Sequence, residues 1–196
     1  MTVPLPLPSS VMGYTIFLDR DGVINQDSSA YIKSPDEFIF IPKSPEAVAL
    51  LTRHGFDVIL ITNQSAVGRN MITRDTLRAI FDKMEAGVNA AGGCFKDIFF
   101  CPHLPDAGCD CRKPLPGMIQ QAASQYGIDL ANSAMVGDSA KDIQCGQSAG
   151  CGKTILVATG NGPSAARDLS GRGISPDFFA DDLYHAAQWI VSTLGD

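Results

Sequence analysis

Asp19 and Asp21, Thr62, Lys113 and Asp138 have the side chains that phosphoryl transfer requires. One carboxylate can attack phosphorus and split the reaction through an aspartyl-phosphate. A second acid, two residues on, can protonate the leaving oxygen and later take a proton from water. A lysine and a threonine hydroxyl can hold the phosphoryl oxygens as charge develops. Asp19, Asp21 and Asp138 together concentrate negative charge that a divalent cation such as Mg²⁺ relieves through oxygen ligands. Taken singly, each has a plainer reading: an Asp-x-Asp turn, a threonine cap, an acid capping the helix from Ala140 with Asp142 complementing its dipole. What argues for chemistry is their joint placement.

That placement comes from the predicted strands. Short apolar runs rich in β-branched and aromatic residues occur at Thr15–Asp19, Asp57–Thr62, Asp97–Cys101, Ala134–Asp138 and Thr154–Ala158, with a weaker one at Asp177–Ala180. Continuous apolar runs suit strands buried on both faces of a sheet. Helix signals alternate with them. Ser44-Pro45-Glu46 reads as an N-cap with proline at the first position, apolar residues continue to Leu51, and Gly55 is the stop. Thr73 opens a longer helix through Leu77, Ile80, Phe81 and Met84; others span Pro116–Tyr126, Ala140–Ala149 and Asp182–Leu194. The order predicts an α/β fold, a doubly wound parallel sheet with right-handed crossovers. In such a sheet the ligand crevice lies beyond the carboxyl ends of the strands. Asp19-Arg20-Asp21, Thr62-Asn63-Gln64-Ser65 and Asp138 all fall there.

One stretch breaks the alternation. CPHLPDAGCDCRKPLPG, residues 101–117, has four prolines and two glycines, and a loop of that length needs something outside itself to order it. Cys101, His103, Cys109 and Cys111 supply three thiolates and one imidazole, a closed tetrahedral set suited to structural Zn²⁺. The metal would supply folding energy and place Arg112 and Lys113, which follow the last ligand. The other cysteines, Cys94, Cys145 and Cys151, read as buried small hydrophobes.

The chain has 196 residues, a net charge of −6 and 45% hydrophobic residues, which predicts one globular domain over residues 11–196. The opening MTVPLPLPSS alternates prolines and reads as a flexible arm over residues 1–10. It has neither the cationic start nor the apolar length of a secretory signal, so we expect a cytoplasmic protein with reduced thiols. No apolar run is long enough to span a membrane, and an acidic chain without a basic stripe argues against a nucleic-acid partner. We expect a monomer. The 35 residues between Asp21 and Asp57 are too few for a large cap domain, so loops must wall the substrate. Arg69 and Arg112 are placed to meet a second anionic group.

DRDGVIN, ITNQ, CRKP and GDSAKDI resemble, in order and spacing, the four motifs of the haloacid dehalogenase superfamily of phosphatases, over about residues 14–160. The resemblance implies Asp19 as nucleophile, Asp21 as general acid/base, Thr62 and Lys113 as phosphoryl stabilisers, and Mg²⁺ held by Asp19, Asp138 and the backbone carbonyl of Asp21. Asp142 would orient its neighbours. Within the superfamily, the cysteine loop followed by RKP resembles two branches, the heptose 1,7-bisphosphate phosphatases and the histidinol-phosphate phosphatases. TNQSAVGR, KPLPGM and KTILVATGNG favour the first, hence a small phosphorylated sugar as substrate, contacted by Asp27, Tyr31, Asn63, Gln64, Ser65, Arg69 and Arg112. SSAY, Ser28–Tyr31, departs from that branch, lacking a glycine before Tyr31. A receiver-like phospho-accepting domain is the non-enzyme alternative; it would lack an acid at Asp21.

Overall fold

The computed structural model describes residues 13–195. Six strands form one parallel sheet: β1 (Thr15–Leu18), β2 (Asp57–Asn63), β3 (Asp97–Cys101), β4 (Ser133–Gly137), β5 (Lys153–Val157) and β6 (Phe178–Ala180). Their spatial order is β3-β2-β1-β4-β5-β6, each pair parallel. The predicted α/β, doubly wound fold is the one observed. Seven α-helices accompany it: α1 (Ser44–Arg53), α2 (Ser65–Gly68), α3 (Arg74–Ala90), α4 (Gly117–Tyr126), α5 (Ala140–Ala149), α6 (Gly162–Gly171) and α7 (Leu183–Leu194). The proline-rich residues 1–10, read as an arm, lie outside the described residues.

Alternation along the strands builds the core on both faces. In β1, Ile16 and Leu18 enter the cluster roofed by α1, α3 and α7, while Phe17 enters the opposite one with Met118, Ile119 and Met135. All four β1 residues are buried, as the apolar run predicted. The chain winds outward from β1 to β3 on one side, then crosses back to place β4 against the other edge of β1. The β1/β4 boundary is therefore the topological switch point, where the crossovers diverge and a crevice opens.

Helix starts follow local chemistry. Thr73 caps α3 by accepting from the Thr76 amide at 3.0 Å, as expected. α1 differs: Lys43, with φ 63°, holds the cap position, and Ser44 lies inside the first turn. The Ser44 hydroxyl is spent elsewhere, donating to the Ile24 carbonyl at 2.6 Å and pinning the helix to the loop after β1. Two helices, α2 and α6, are not among those the sequence pattern predicts: α2 is a single turn, and α6 buries only Gly162, Ala165 and Leu169. Between β1 and α1 there is a loop with one 3₁₀ turn, Pro35–Glu37, and no cap domain.

Candidate active site

The carboxyl ends of β1, β2 and β4 converge at the switch point. Asp19 follows β1 directly, and its amide donates to the Val136 carbonyl of β4 at 3.0 Å, which fixes it across the boundary. Asp138 follows β4 in the same way. Oxygens of Asp19, Asp138 and Asp142 lie within 4.8 Å of one another. Lys113, 3% exposed, reaches into this group: its Nζ is 2.8 Å from Asp19 Oδ1, 2.6 Å from Asp142 Oδ1 and donates to the Ile61 carbonyl at 2.8 Å. Burial works against the lysine's charge, but Asp142 and Asp19 outweigh it and hold its pKa above the usual range.

The acids' pKa values also rise, but for them the rise disfavours the charged form. Burial pushes Asp19 up to about 8 against the pull of Lys113, with Asp142 and Asp138 adding like-charge repulsion. Burial, then Asp142, pushes Asp138 up to about 7. One lysine does not neutralise three clustered carboxylates. The surplus charge, on hard oxygen donors at an open crevice, fits a divalent cation such as Mg²⁺, which binds through one or two carboxylates and substrate oxygens. Asp142 is fully buried, closes a capping box with Ser139 on α5 and pairs with Lys113, so it orients the lysine.

Asp21 stands apart from that cluster. Its carboxylate receives Arg20 Nη2 at 2.7 and 2.8 Å, Arg20 Nε at 3.2 Å, Asn25 Nδ2 at 2.9 Å and Gln64 Nε2 at 2.9 Å. Burial opposes ionisation, yet the Arg20 guanidinium and these hydrogen bonds outweigh it and hold the carboxyl below its ordinary pKa. Gln64 Nε2 also donates to Thr62 Oγ1 at 2.9 Å. Thr62, expected to hold phosphoryl oxygens, is thereby fixed beside the acid. Asn63, expected to touch substrate, spends its amide on both sides of the Lys113 backbone, accepting from its N–H at 3.1 Å and donating to its carbonyl at 3.2 Å. It aligns the lysine's segment with β2. Ser65 opens α2 and is 7% exposed.

The cysteine loop closes as its donor set predicts. Cys101 Sγ lies 3.0 Å from Cys111 Sγ, 3.7 Å from Cys109 Sγ and 3.6 Å from His103 Nδ1, which is 3.3 Å from Cys111 Sγ. Zn–S bonds of about 2.3 Å in a tetrahedron put donors about 3.8 Å apart, so the four atoms fit Zn²⁺. All three cysteines are free of disulfides. Arg112 Nη1 donates to the His103 carbonyl at 3.1 Å, tying the loop to the residue before Lys113.

The remaining expected contacts line the mouth. Arg69 is exposed and its guanidinium lies 5.9 Å over the Tyr31 ring; Tyr31 has φ 63°. Asp27 accepts from Asn161 Nδ2 at 3.1 Å. Two further residues, Arg20 and Asn161, join the site without a motif role to announce them. Arg20 continues the Ile16–Leu18 alternation, which points to the buried face; it is 1% exposed and lies 5.9 Å from the Phe81 ring. Asn161 lies in the KTILVATGNG segment, but nothing in that segment marks its contact with Asp27, 134 residues away. A separate cleft of about 210 Å³ between α3 and β3 contains none of these residues.

Comparison with known proteins agrees with this fold. The family model for HAD-hydrolase-like proteins matches residues 110–186. The D-glycero-beta-D-manno-heptose-1,7-bisphosphate 7-phosphatase of Bordetella bronchiseptica is 52% identical over 147 residues, covering 75% of this chain and 82% of that protein. The Pseudomonas aeruginosa protein of the same name is 46% identical over the same coverage. The crystal structure of the B. bronchiseptica D,D-heptose 1,7-bisphosphate phosphatase, complexed with magnesium and phosphate, superimposes with a TM-score of 0.85 at 46% identity, covering 91% of this chain and 98% of that one.

Proposed function

The chain belongs to the heptose-1,7-bisphosphate 7-phosphatases of the HAD-like hydrolases, and we propose that it removes the 7-phosphate of D-glycero-D-manno-heptose 1,7-bisphosphate. The names of its relatives favour the beta anomer. The observation that carries the chemistry is the Lys113 bridge, 2.8 Å to Asp19 and 2.6 Å to Asp142, at the switch point beside Asp138. It places a cation against the nucleophile where phosphoryl charge will develop.

Asp19 attacks phosphorus and the P–O7 bond breaks, giving an aspartyl-phosphate and a sugar alkoxide that takes its proton from Asp21. Water then attacks phosphorus, gives its proton to Asp21, and releases inorganic phosphate and free Asp19. Arg20 keeps the resting Asp21 ionised, the form that activates water; it must take up a proton before serving the leaving oxygen. Lys113 and Thr62 hold the phosphoryl oxygens. Asp19, Asp138 and the Asp21 carbonyl would hold Mg²⁺, which when bound offsets the acids' charge and that of the phosphate. Cys101, His103, Cys109 and Cys111 would hold Zn²⁺ away from the chemistry.

The same reading makes the partner a small phosphorylated sugar, met at the mouth by Asp27, Tyr31, Arg69 and Arg112. No described helix is long and apolar enough to cross a membrane, and the net charge of −6 disfavours nucleic acid. We read residues 11–196 as one phosphatase unit working in the cytoplasm. The test is phosphate release with Mg²⁺ from both anomers of heptose 1,7-bisphosphate and from histidinol phosphate. A higher kcat/KM on a heptose bisphosphate is expected. Preference for histidinol phosphate would move the chain to the other branch and overturn the substrate.

A further inference from the structure

The contacts around Asp138 reach beyond the strand-end motifs. Asn161, between β5 and α6, donates its backbone N–H at 2.7 Å and its side-chain amide at 3.1 Å to Asp138 Oδ2. The same Nδ2 is 3.1 Å from Asp27 Oδ2, so its two hydrogens serve two acids from distant segments. Thr159 fastens the loop from the other side, donating Oγ1 to the Gly22 carbonyl at 2.6 Å. Gly22 (φ 80°) and Gly160 (φ 56°) close around the carboxylate, and a Cβ on either would collide with Asp138 Oδ2. Oδ2 is thus walled by two backbones and filled by two donors, which leaves Oδ1 to join Asp19 in the acid cluster. Asp27, Gln26, Ser29, Thr159 and Asn161, with Ile41 and Pro42, also line a cavity of about 620 Å³ that has no cationic side chain. That lining suits sugar hydroxyls.

We propose that Asn161 is a positioning residue that commits Asp138 to a single metal-facing oxygen and, through the same amide, holds Asp27 at the wall of that cavity. The proposal rests on the phosphatase reading for its substrate but not for its cation. Removing an outer partner of a metal ligand typically costs about 10–100-fold in affinity or activity. The Asn161 side chain makes no capping bond to α6, so its removal leaves that helix start intact.

The test is calorimetric binding of Mg²⁺, together with turnover, for wild type, N161A, D27A and the double variant. N161A is expected to weaken Mg²⁺ binding at least tenfold and to raise KM for heptose 1,7-bisphosphate. Raising Mg²⁺ is expected to restore part of the turnover of p-nitrophenyl phosphate that N161A loses, while its Tm without Mg²⁺ stays near wild type, a pattern that general loss of structure would not give. D27A should raise KM for the bisphosphate with Mg²⁺ affinity unchanged, and the two KM effects should be less than additive in the double variant. Wild-type Mg²⁺ affinity in N161A, or additive KM effects, overturns the proposal. A wild-type enzyme that handles p-nitrophenyl phosphate but not heptose bisphosphate overturns the substrate instead, and leaves the Mg²⁺ arm to decide for Asn161.

Discussion

Asp19 and Asp21 are two residues apart and are pushed in opposite directions. Burial and two neighbouring carboxylates raise Asp19, whereas Asp21 is gripped by the Arg20 fork and two amides and stays ionised. Divergent environments for paired carboxylates support the proposed division of labour, with Asp19 as nucleophile and Asp21 as proton carrier. The Asp21 carboxylate lies outside the acid cluster, so its chemistry can be removed without disturbing the cation's ligands. Asp21→Asn should therefore lower kcat by about 10²–10⁴-fold, the usual worth of a general acid/base. Its Mg²⁺ affinity should match wild type. A variant that turns over normally would overturn the assignment of Asp21. Asp19, Thr62 and Asp138 are legible in the sequence because each ends an apolar run, and Lys113 because it follows the cysteine set. For Asn63 and Gln64 the location is legible but the partner is not: their amides face Lys113, Thr62 and Asp21, pairings set by β2 lying beside β1, which sequence spacing does not convey.

Two elements hold the site without touching phosphate. The loop from Cys101 begins at the end of β3 and delivers Lys113 under β2, so its order determines where the lysine sits. Zinc should contribute to both stability and rate. Elemental analysis should find about one zinc per chain. Chelation, or Cys109→Ser, should lower Tm and reduce kcat at saturating Mg²⁺; a zinc-free protein with unchanged Tm and turnover would mean that the loop orders without a metal. At the far side, Asp177 ties β6 to β5, accepting from the Thr154 amide at 2.8 Å and from Lys153 Nζ at 3.2 Å. Burial opposes its charge, but the Thr154 and Lys153 contacts outweigh it and lower its pKa. A folded pKa below the unfolded one adds stability above pH 3.8 that is lost as pH falls through the lowered value. Asp177→Asn should cost about 1 kcal/mol at neutral pH, the low end for a charge-assisted bond because the carboxylate is partly exposed. Thermal unfolding should show the gap closing in acid; a gap independent of pH would mean the charge is not the cause.

For the whole molecule, the six strands and their parallel order are legible because β1, β2, β4 and β5 are apolar on both faces. α2 is one turn, too short for a period to show, and α6 resembles a loop in sequence because GPSAARDLSG buries only Gly162, Ala165 and Leu169. The Asn161 bridge depends on that hidden helix start, so the KTILVATGNG segment is legible in the sequence but the partners of Asn161 are not. We propose a monomer on the same arrangement. Asp19, Asp21, Lys113, Asp138 and both candidate metal sets come from one chain, so the site needs no second copy. Among the described residues the exposed large hydrophobics are Ile39, Met71, Leu115 and Phe179, and a few exposed apolar side chains are ordinary on a monomer's surface. At one sheet edge β6 is only three residues long. At the other, β3 is flanked by the Lys96–Asp57 ion pair and followed by Pro102, features that discourage strand addition. Sedimentation equilibrium should therefore give a single species near 20.8 kDa. The kcat/KM should not change as enzyme is diluted from micromolar to nanomolar. A dimer mass, or activity lost on dilution, would show that one of these solvent-facing surfaces is an interface and that the open mouth beside Tyr31 and Asp27 is partly closed by a partner.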